Sequence, residues 1–350
     1  MGSVAFGWLL KRIAEPMTPA IRDTATLRQR RLVNAAGPAR IGLVIAGGIA
    51  LAAANYALAR RAERRTPPAG KFIQIDGVRL HYIDRGTGPA VILLHGNGTM
   101  ARAFELSGLI DLLAKDRRVI AFDRPGLGHS DRPRNRIWTA EAQADLLWRA
   151  LCEIPVHRPV IVGHSWGALV AIAMALRHPA DTAGVSLLSG YYYPSVRRDV
   201  ATMLWPAIPV VGDIMRYTIS PLLGRVMAPA LFRTMFAPAA VSARFKHGFP
   251  VELAVRPWQI RAAAAEAGLM IPQAYRLARK YEALSIPVLI VAGLQDNVVD
   301  FGRQSRQLAE ELPNSTLTPI PGAGHMVHHT APEQIANAIH ELAKSSIAGS

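Results

Sequence analysis

A serine in the pattern Gly-x-Ser-x-Gly is the residue of this chain best suited to covalent chemistry. Residues 163–167 read Gly-His-Ser-Trp-Gly and lie between an apolar run that ends at Val162 and the helix-forming residues 168–176. The turn from strand to helix is so tight that only glycine fits two residues before and two residues after the serine. The turn exposes the serine hydroxyl at a helix N-terminus. This context predicts Ser165 as a nucleophile rather than as part of an ordinary turn.

Two further side chains could activate this serine, because a neutral hydroxyl needs a base and the base needs a carboxylate partner. His325 lies on a loop between a predicted strand at 316–320 and a helix that starts near Pro332. Asp296 follows the predicted strand 287–292. We therefore predict His325 as the general base and Asp296 as the residue that orients it.

Neighbouring residues leave alternatives to these assignments. His328 and His329 are close in sequence to His325 but lie nearer to the following helix. Asp300 could replace Asp296, or it could cap the helix that comes after it. His325 could also be a surface histidine or one that only hydrogen-bonds within its loop.

The negative charge that develops on an attacked carbonyl oxygen needs two backbone N–H donors. We assign this oxyanion hole to Trp166, which follows the nucleophile, and to Asn97 in the loop His-Gly-Asn-Gly at 95–98. Glycine lets the backbone of such a loop approach a ligand closely. A plain tight turn is the alternative interpretation of this loop.

Short apolar segments that alternate with helical ones must position these residues. After a hairpin around Asp76-Gly77, apolar strands are predicted at residues 90–94, 118–122, 160–162, 185–188, 287–292 and 316–320. This pattern is typical of an α/β fold with a mostly parallel central sheet and helices on both faces. Pro319 cannot donate a ladder hydrogen bond, which predicts that the last strand is short and lies at the sheet edge.

The strand pattern stops between residues 190 and 284, where the sequence becomes helical and rich in proline and methionine. We interpret this segment as a helical cap inserted into a core of residues 72–189 and 285–345. Its aromatic and methionine side chains could line an apolar substrate slot, although the same residue types commonly fill cores. The substrate-binding candidates are Tyr191, Met203 and Trp166.

Residues 1–65 form a basic N-terminal segment with one long apolar run. Residues 1–70 hold eleven Lys or Arg and three acidic residues, so they carry eight charges of the formal net +15. The nineteen residues 41–59 are almost all apolar and just span a hydrocarbon core of roughly 30 Å. We predict a single-pass membrane anchor there, with a packed or interfacial helix as the alternative and a linker at 66–71. Arginines flank both ends, which leaves the orientation undetermined.

Composition excludes several classes of function. Half of the residues are apolar and 19% are charged, which is typical of a folded globular chain. No zinc pattern, RNA-binding aromatic motif or basic recognition helix accompanies the positive charge, so no nucleic-acid partner is expected. Cys152 is the only cysteine, which excludes an intrachain disulfide and a cysteine-based metal site. We expect neither a metal nor an organic cofactor, and the oligomeric state stays open.

With these residues assembled, the chain resembles the α/β-hydrolase superfamily over about residues 72–345. The chain order serine, aspartate, histidine is the order of that superfamily. The motifs that carry the resemblance are the loop 95–98, the sequence Asp-Arg-Pro-Gly-Leu-Gly-His-Ser at 123–130, the Ser165 turn, Asp296 and Gly324-His325.

Within the superfamily, His95-Gly96-Asn97 and Trp166 are similar to haloalkane dehalogenases, whose corresponding asparagine and tryptophan side chains hold halide. Those enzymes and the similar epoxide hydrolases use an aspartate where this chain has Ser165. Serine attack on a saturated carbon would leave a stable ether, so the resemblance implies acyl chemistry instead.

The resemblance implies a serine hydrolase that cleaves an ester or related acyl bond of a small apolar substrate. Similar family members use the same three residues to cleave carbon–carbon bonds of vinylogous diketones or for peracid chemistry. A membrane-tethered binding protein that no longer turns over is the alternative from another class. The predicted anchor adds the expectation of a lipophilic substrate and a membrane-associated location.

Overall fold

An eight-stranded sheet forms the centre of the fold in the computed structural model, which describes residues 38–195 and 204–348. Its order is β1-β2-β4-β3-β5-β6-β7-β8. β2 is antiparallel to β1 and β4, and all other neighbours are parallel, which confirms the mostly parallel sheet. The strands are β1 (Lys71–Ile75), β2 (Val78–Arg85), β3 (Ala90–Leu94), β4 (Arg118–Phe122), β5 (Val160–His164), β6 (Gly184–Leu188), β7 (Val288–Gly293) and β8 (Ser315–Ile320).

Helices connect the parallel strands, and five of the described helices lie in one insertion between β6 and β7. The helices are α1 (Pro38–Arg65), α2 (Arg102–Ser107), α3 (Leu109–Leu113), α4 (Ala140–Glu153), α5 (Trp166–Arg177), α6 (Val211–Tyr217), α7 (Ile219–Phe236), α8 (Ala243–Gly248), α9 (Val251–Ala254), α10 (Pro257–Ala278), α11 (Gln307–Glu311), α12 (Val327–Thr330) and α13 (Pro332–Ala348). The helical insertion predicted from the sequence is therefore confirmed. Residues 196–203 of this insertion lie outside the described residues.

The sheet is buried on both faces, which is why its strands are almost entirely apolar. In β3, Ile92 and Leu94 belong to one hydrophobic cluster, which also contains side chains of α4 and α5. The alternate residues Val91 and Leu93 belong to a second cluster, which contains side chains of α3 and α13. The helices on both faces that the sequence predicts are confirmed by this alternation.

The last strand lies at the edge of the sheet, as Pro319 predicts. β8 pairs only with β7, with Pro319 opposite Ala292. An edge strand leaves part of its backbone outside the ladder, so a residue without an N–H is tolerated there. The prediction that this strand is short is wrong, because β8 has six residues and is as long as β7.

The N-terminal apolar helix α1 is 28 residues long. Residues 40–65 are long and apolar enough to cross a membrane, and most of their side chains are exposed. The chain divides into two compact units, residues 1–52 and 53–350. The second unit includes the last turns of α1, where Ala59 and Ala62 are buried.

Polar contacts attach these last turns of α1 to the insertion. The Asn55 side-chain amide donates to the carbonyl oxygens of Tyr217 at 2.9 Å and Thr218 at 2.8 Å. The buried Arg256 guanidinium donates to Glu63 at 2.8 Å. Burial lowers the pKa of Arg256, and the Glu63 carboxylate opposes that shift. Glu63 therefore compensates a charge that the fold has removed from water.

Replacing Glu63 by glutamine should lower the free energy of unfolding by about 1–3 kcal/mol, because the Arg256 guanidinium then stays desolvated without a carboxylate partner. Urea unfolding of the full chain in neutral detergent, followed by circular dichroism, measures the change. Glu341→Gln is the matched control, since this exposed residue of α13 pairs only with Lys344. Equal stabilities of the two variants would contradict the assigned role of Glu63.

Candidate active site

Ser165 lies in the sharp turn from β5 to α5. Its backbone has φ 53° and ψ −119°, a conformation that costs energy for a residue other than glycine. A Cβ atom at Gly163 would lie 2.4 Å from the carbonyl oxygen of Gly167, and one at Gly167 would lie 2.2 Å from that of Leu94. Only glycine at both positions permits the turn, as the motif predicts.

The structure brings Ser165, His325 and Asp296 together at the carboxyl ends of three strands. The Ser165 hydroxyl lies 2.9 Å from Nε2 of His325, and Nδ1 of the same ring lies 2.8 Å from Oδ2 of Asp296. The other carboxylate oxygen accepts the backbone N–H groups of Val298 at 2.7 Å and Val299 at 2.9 Å. With a proton on Nδ1, Nε2 is free to accept the proton of the serine hydroxyl.

The competing residues have other partners. Asp300 is exposed, and its carboxylate accepts the backbone N–H of Arg303 at 2.7 Å, which is the capping role left open by the sequence. His328 packs against Phe104, and His329 packs against Phe236. Among the described residues, His325 is thus the histidine that hydrogen-bonds to Ser165.

The loop after β3 passes directly beside the serine. A Cβ atom at Gly96 would lie only 3.1 Å from Cβ of Ser165, so glycine allows the close approach. Within the described residues, the backbone N–H groups of Asn97 and Trp166 have no hydrogen-bond acceptor. The residues predicted for the oxyanion hole therefore offer two unpaired donors next to the nucleophile.

Residues 89–332 match the family model described as the alpha/beta hydrolase fold, which is well over half of the chain. The chain belongs to the alpha/beta hydrolase fold family. This confirms the resemblance carried by the sequence motifs, and it makes the chain a hydrolase of this fold.

Distant relatives of this hydrolase carry the names of different reactions. It is 28% identical over 273 residues to haloalkane dehalogenase 2 of Mycobacterium tuberculosis (strain ATCC 25618 / H37Rv), covering 75% of this chain and 91% of the relative. It is 24% identical over 277 residues to 2-hydroxymuconate semialdehyde hydrolase of Pseudomonas sp. (strain CF600), covering 77% and 93%. The solved structure of a membrane phospholipase A aligns with a TM-score of 0.60 at 21% identity, covering 91% and 99%.

The side chains of Asn97 and Trp166 are bound to the insertion rather than free to hold a ligand. The Asn97 amide donates to the carbonyl oxygen of Ala263 at 3.0 Å, and the Trp166 indole N–H donates to that of Glu266 at 3.0 Å. Both acceptors lie on α10. The two donors that dehalogenases direct at halide are therefore occupied in this hydrolase.

A buried ion pair lies next to the loop of residues 95–98. Arg124 donates to the carboxylate of Glu266 at 2.6 and 2.9 Å, and neither side chain is exposed. Arg124 also donates through Nε to the His95 carbonyl oxygen at 2.7 Å, and Gln143 contacts both charged groups. Burial alone would raise the pKa of Glu266, but the Arg124 guanidinium holds that pKa below its usual value.

His95 fastens the loop to the residues after β4. Its Nε2 accepts the backbone N–H of Arg124 at 3.0 Å, and its Nδ1 donates to the Gly96 carbonyl oxygen at 2.8 Å. Burial lowers the pKa of His95 to about 4, with the Arg124 charge acting in the same direction. A neutral histidine with these two bonds holds the loop, so the loop is more than a plain tight turn.

Sequence reasoning missed Glu266 and the structural role of Asp123. Asp123 accepts Nδ1–H of His81 at 2.7 Å and the backbone N–H groups of Ala101 at 2.8 Å and His129 at 2.9 Å. Nε2 of His81 accepts the N–H of Gly70 at 3.1 Å, so this second histidine–aspartate pair holds backbone instead of activating a hydroxyl. A single acid in the alanine-rich run at 262–267 was the available signal for Glu266.

The substrate-binding candidates stay predictions. Trp166 and Tyr191 are both buried in the core, and the Tyr191 hydroxyl donates to the carbonyl oxygen of Ser195 at 3.2 Å. Met203 lies outside the described residues. In the parts of the chain that the structure describes, no group of three His, Cys, Asp or Glu residues is arranged to hold a metal ion.

Several histidines around the site are buried and neutral. His164 donates through Nε2 to the carbonyl oxygen of His325 at 3.1 Å and packs against His328. Burial lowers the pKa of His164 and His328 well below 6.5, and it lowers that of His329 to about 3. The folded chain therefore binds fewer protons than the unfolded chain at mildly acidic pH.

This difference predicts that the free energy of unfolding is unaffected by these histidines above about pH 6.5 and decreases as the pH falls below 6.5. The decrease is up to about 1.4 kcal/mol per pH unit for each such histidine. His328→Leu removes one of these groups and should reduce the slope by about that amount between about pH 4 and 6.5. Urea unfolding across this range measures the slope. The exposed His157→Leu control should keep the wild-type slope, and a wild-type slope in His328→Leu would refute the prediction.

Proposed function

We propose that this hydrolase is a serine esterase that cleaves an ester or related acyl bond of a small apolar substrate. The observation that carries the proposal is the unbroken hydrogen-bond chain from Ser165 through His325 to Asp296. The unpaired N–H groups of Asn97 and Trp166 beside the serine support acyl chemistry, because a tetrahedral intermediate places an oxyanion there.

In the first half of the proposed reaction, the Ser165 oxygen attacks the carbonyl carbon while its proton moves to Nε2 of His325. The Asp296 carboxylate stabilises the imidazolium that forms. The N–H groups of Asn97 and Trp166 donate to the oxyanion. The tetrahedral intermediate collapses, His325 gives its proton to the leaving alcohol, and the acyl group stays on the serine as an ester.

In the second half, a water molecule attacks the acyl-enzyme carbonyl while His325 removes one of its protons. The same two N–H groups bind the second oxyanion. Collapse breaks the bond to the Ser165 oxygen, which recovers its proton from His325. The products are a carboxylic acid and the free enzyme, and no step calls for a metal or an organic cofactor.

Two observations favour this reaction over dehalogenation. Attack of Ser165 on a saturated carbon would form an ether, which water does not cleave at neutral pH. The side-chain donors of Asn97 and Trp166 are bound to carbonyl oxygens of α10, so they do not face a leaving halide.

Carbon–carbon hydrolysis is the second candidate reaction, supported by the similarity to 2-hydroxymuconate semialdehyde hydrolase. The same serine, histidine and oxyanion donors could serve it. A non-catalytic, membrane-tethered binding protein is the candidate from another class. The hydrogen-bonded serine argues against it, because an inert site has no need of a strained nucleophile position.

We further propose that α1 anchors the enzyme in a membrane and that its substrate is lipophilic. The long, mostly exposed apolar helix supports this, and so does the likeness to a membrane phospholipase A. Tethering near a bilayer raises the local concentration of substrate that partitions into it. Release of the full chain from membranes by carbonate or high salt, without detergent, would overturn the anchor.

Ser165→Ala should lower the turnover of p-nitrophenyl acyl esters by at least about 10⁴-fold and abolish labelling by a fluorophosphonate, because both need the activated oxygen. Acyl chains from two to sixteen carbons measure the preferred length. Ser107→Ala, which removes a buried hydroxyl of α2, should keep both activities. Serine-dependent cleavage of a vinylogous diketone without ester turnover would replace the esterase proposal by the carbon–carbon one.

Asp296→Asn should lower kcat by about 10⁴-fold with KM nearly unchanged, because the amide no longer holds His325 in the tautomer that accepts the serine proton. Asp300→Asn is the matched control, since it changes the neighbouring carboxylate that only accepts the N–H of Arg303. Steady-state kinetics on the preferred ester measures both variants. A larger loss in Asp300→Asn would assign the orienting role to that residue.

A further inference from the structure

A cavity separate from the candidate active site lies within the unit of residues 53–350. Its volume is about 640 Å³, and Ser165, His325 and Asp296 are not part of its lining. The end of α1, the β1–β2 hairpin, the loop after β4 and the helices α6 and α10 all contribute to it. Seven arginines line it: Arg60, Arg79, Arg132, Arg134, Arg216, Arg256 and Arg261.

These arginines outnumber the acidic residues of the lining. Glu63 and Asp131 are the two carboxylates among the described lining residues, which leaves an excess of five positive charges. His129 also lines the cavity, and burial lowers its pKa to about 4, so it is neutral near pH 7 and changes nothing in this balance. The cavity is therefore strongly electropositive.

Some of these arginines have structural roles. Arg256 binds Glu63 at 2.8 Å and the Leu253 carbonyl oxygen at 2.8 Å, and Arg60 binds Glu63 at 2.6 Å. Arg79 lies 3.9 Å from Asp131, with its side chain half exposed. Arg256 and Arg60 thus account for Glu63, and Arg256 attaches α1 to the insertion, while Arg79 is only loosely paired.

Three of the other four arginines share two carboxylates. Asp213 pairs with Arg134 at 3.3 Å and also with Arg216, and Arg132 lies 3.5 Å from Glu266, which the buried Arg124 already neutralises. In the part of the chain that the structure describes, Arg261 forms no ion pair. Arg132, Arg134, Arg216 and Arg261 are the cavity arginines with unmatched charge.

The pKa shifts of these arginines agree with an excess of positive charge in the cavity. Burial lowers the pKa of Arg132 and of Arg216 to about 10 in each case. Repulsion from Arg261 acts on both in the same direction, and Arg134 also lowers the pKa of Arg216 and Arg261. With pKa values of about 10, Arg132 and Arg216 remain cationic at neutral pH. Like charges held together at partly buried positions are costly unless an anion offsets them.

The lining also has an aromatic part, made up of Tyr56, Phe72, Tyr217 and Trp258. The Arg79 guanidinium lies 4.5 Å from the centre of the Phe72 ring, and that of Arg256 lies 5.2 Å from the Trp258 ring. A cavity with cationic and aromatic walls fits a ligand that joins an anionic group to an organic body.

We propose that this cavity binds the phosphoryl group of an anionic phosphate ester. Planar guanidinium groups donate pairs of hydrogen bonds to phosphate oxygens, and several of them around one cavity match a group with several anionic oxygens. The two sources of this chemistry are the headgroup of an anionic glycerophospholipid and a water-soluble phosphate. Two lining residues of α1, Arg60 and Glu63, directly follow its apolar run 41–59 in sequence, and Tyr56 lies near the end of that run, which favours the headgroup.

The test uses the full chain with Ser165→Ala in neutral detergent, so that the ligand is not hydrolysed. Isothermal titration with dihexanoylphosphatidylglycerol should show saturable binding that weakens as salt rises from about 0.05 to about 0.5 M. Zwitterionic dihexanoylphosphatidylcholine should bind at least about tenfold more weakly, because its headgroup carries no net charge. Equal binding of the two lipids would overturn the proposal.

Inorganic phosphate distinguishes the two sources. Competition by phosphate at concentrations similar to those of the lipid would support the proposal with a soluble ligand. Competition only at much higher concentrations would support it with the lipid headgroup.

Arg134→Gln together with Arg261→Gln should raise the dissociation constant for phosphatidylglycerol by about tenfold or more, because two donors to the anion are lost. The control replaces Arg276 and Arg303, two exposed arginines outside the cavity, by glutamine and makes the same change in net charge. If both double variants bound phosphatidylglycerol equally weakly, the effect would come from the overall net charge, and the proposal would be overturned. Arg261→Gln alone provides the comparison if the double variant does not fold.

The proposal is independent of the esterase proposal. Lipid binding is measured in a variant without the Ser165 hydroxyl, so failure to bind lipid would not count against the esterase proposal. In the same way, absence of ester turnover would not count against lipid binding in the cavity. Unchanged binding in the folded cavity variants would refute the cavity site alone.

Discussion

The buried ion pair between Arg124 and Glu266 is the interaction on which the site's arrangement depends. It joins residues 142 positions apart in sequence, one in the loop after β4 and the other in the middle of α10. The same arginine holds the carbonyl oxygen of His95, and the backbone of the same glutamate holds the Trp166 indole. Because both charges are fully buried, loss of either partner would leave an uncompensated ion in the core.

This arrangement makes the insertion part of the framework of the candidate active site. α10 supplies acceptors to Asn97 and Trp166, and the end of α7 contacts the loop that carries His325, where the N–H of Met326 donates to the Met235 carbonyl oxygen at 3.2 Å. Both loops that flank the serine are therefore held by helices of the insertion as well as by the sheet. Movement of α10 would directly shift the side chains of Asn97 and Trp166.

Local patterns predicted the sheet and the proximity of Ser165, His325 and Asp296, because a strand end fixes where the next loop lies. Local patterns could not predict contacts between residues far apart in sequence. Glu266 stands alone in an alanine-rich helix, and only the packing of that helix against the core shows that its carboxylate faces an arginine. The Pro-Pro sequence after α1 indicated a linker, but no local pattern indicated that Ala59 and Ala62 are buried or that Asn55 donates to Tyr217 and Thr218 of the distant insertion. The arginine-lined cavity likewise combines segments far apart in sequence.

The positive φ of Ser165 has a consequence for how such sites diversify. Its φ of 53° is combined with ψ −119°, so any residue with a side chain is strained at this turn, whether it is serine or the aspartate that the resemblance to dehalogenases would imply. The backbone therefore does not decide between the two chemistries. The decision rests with the neighbours: as long as carbonyl oxygens of α10 occupy the Asn97 amide and the Trp166 indole, an aspartate introduced at the turn would have no halide site beside it. A change of nucleophile at the turn would therefore leave the Asn97 amide and the Trp166 indole bound to α10 unless that helix also shifted.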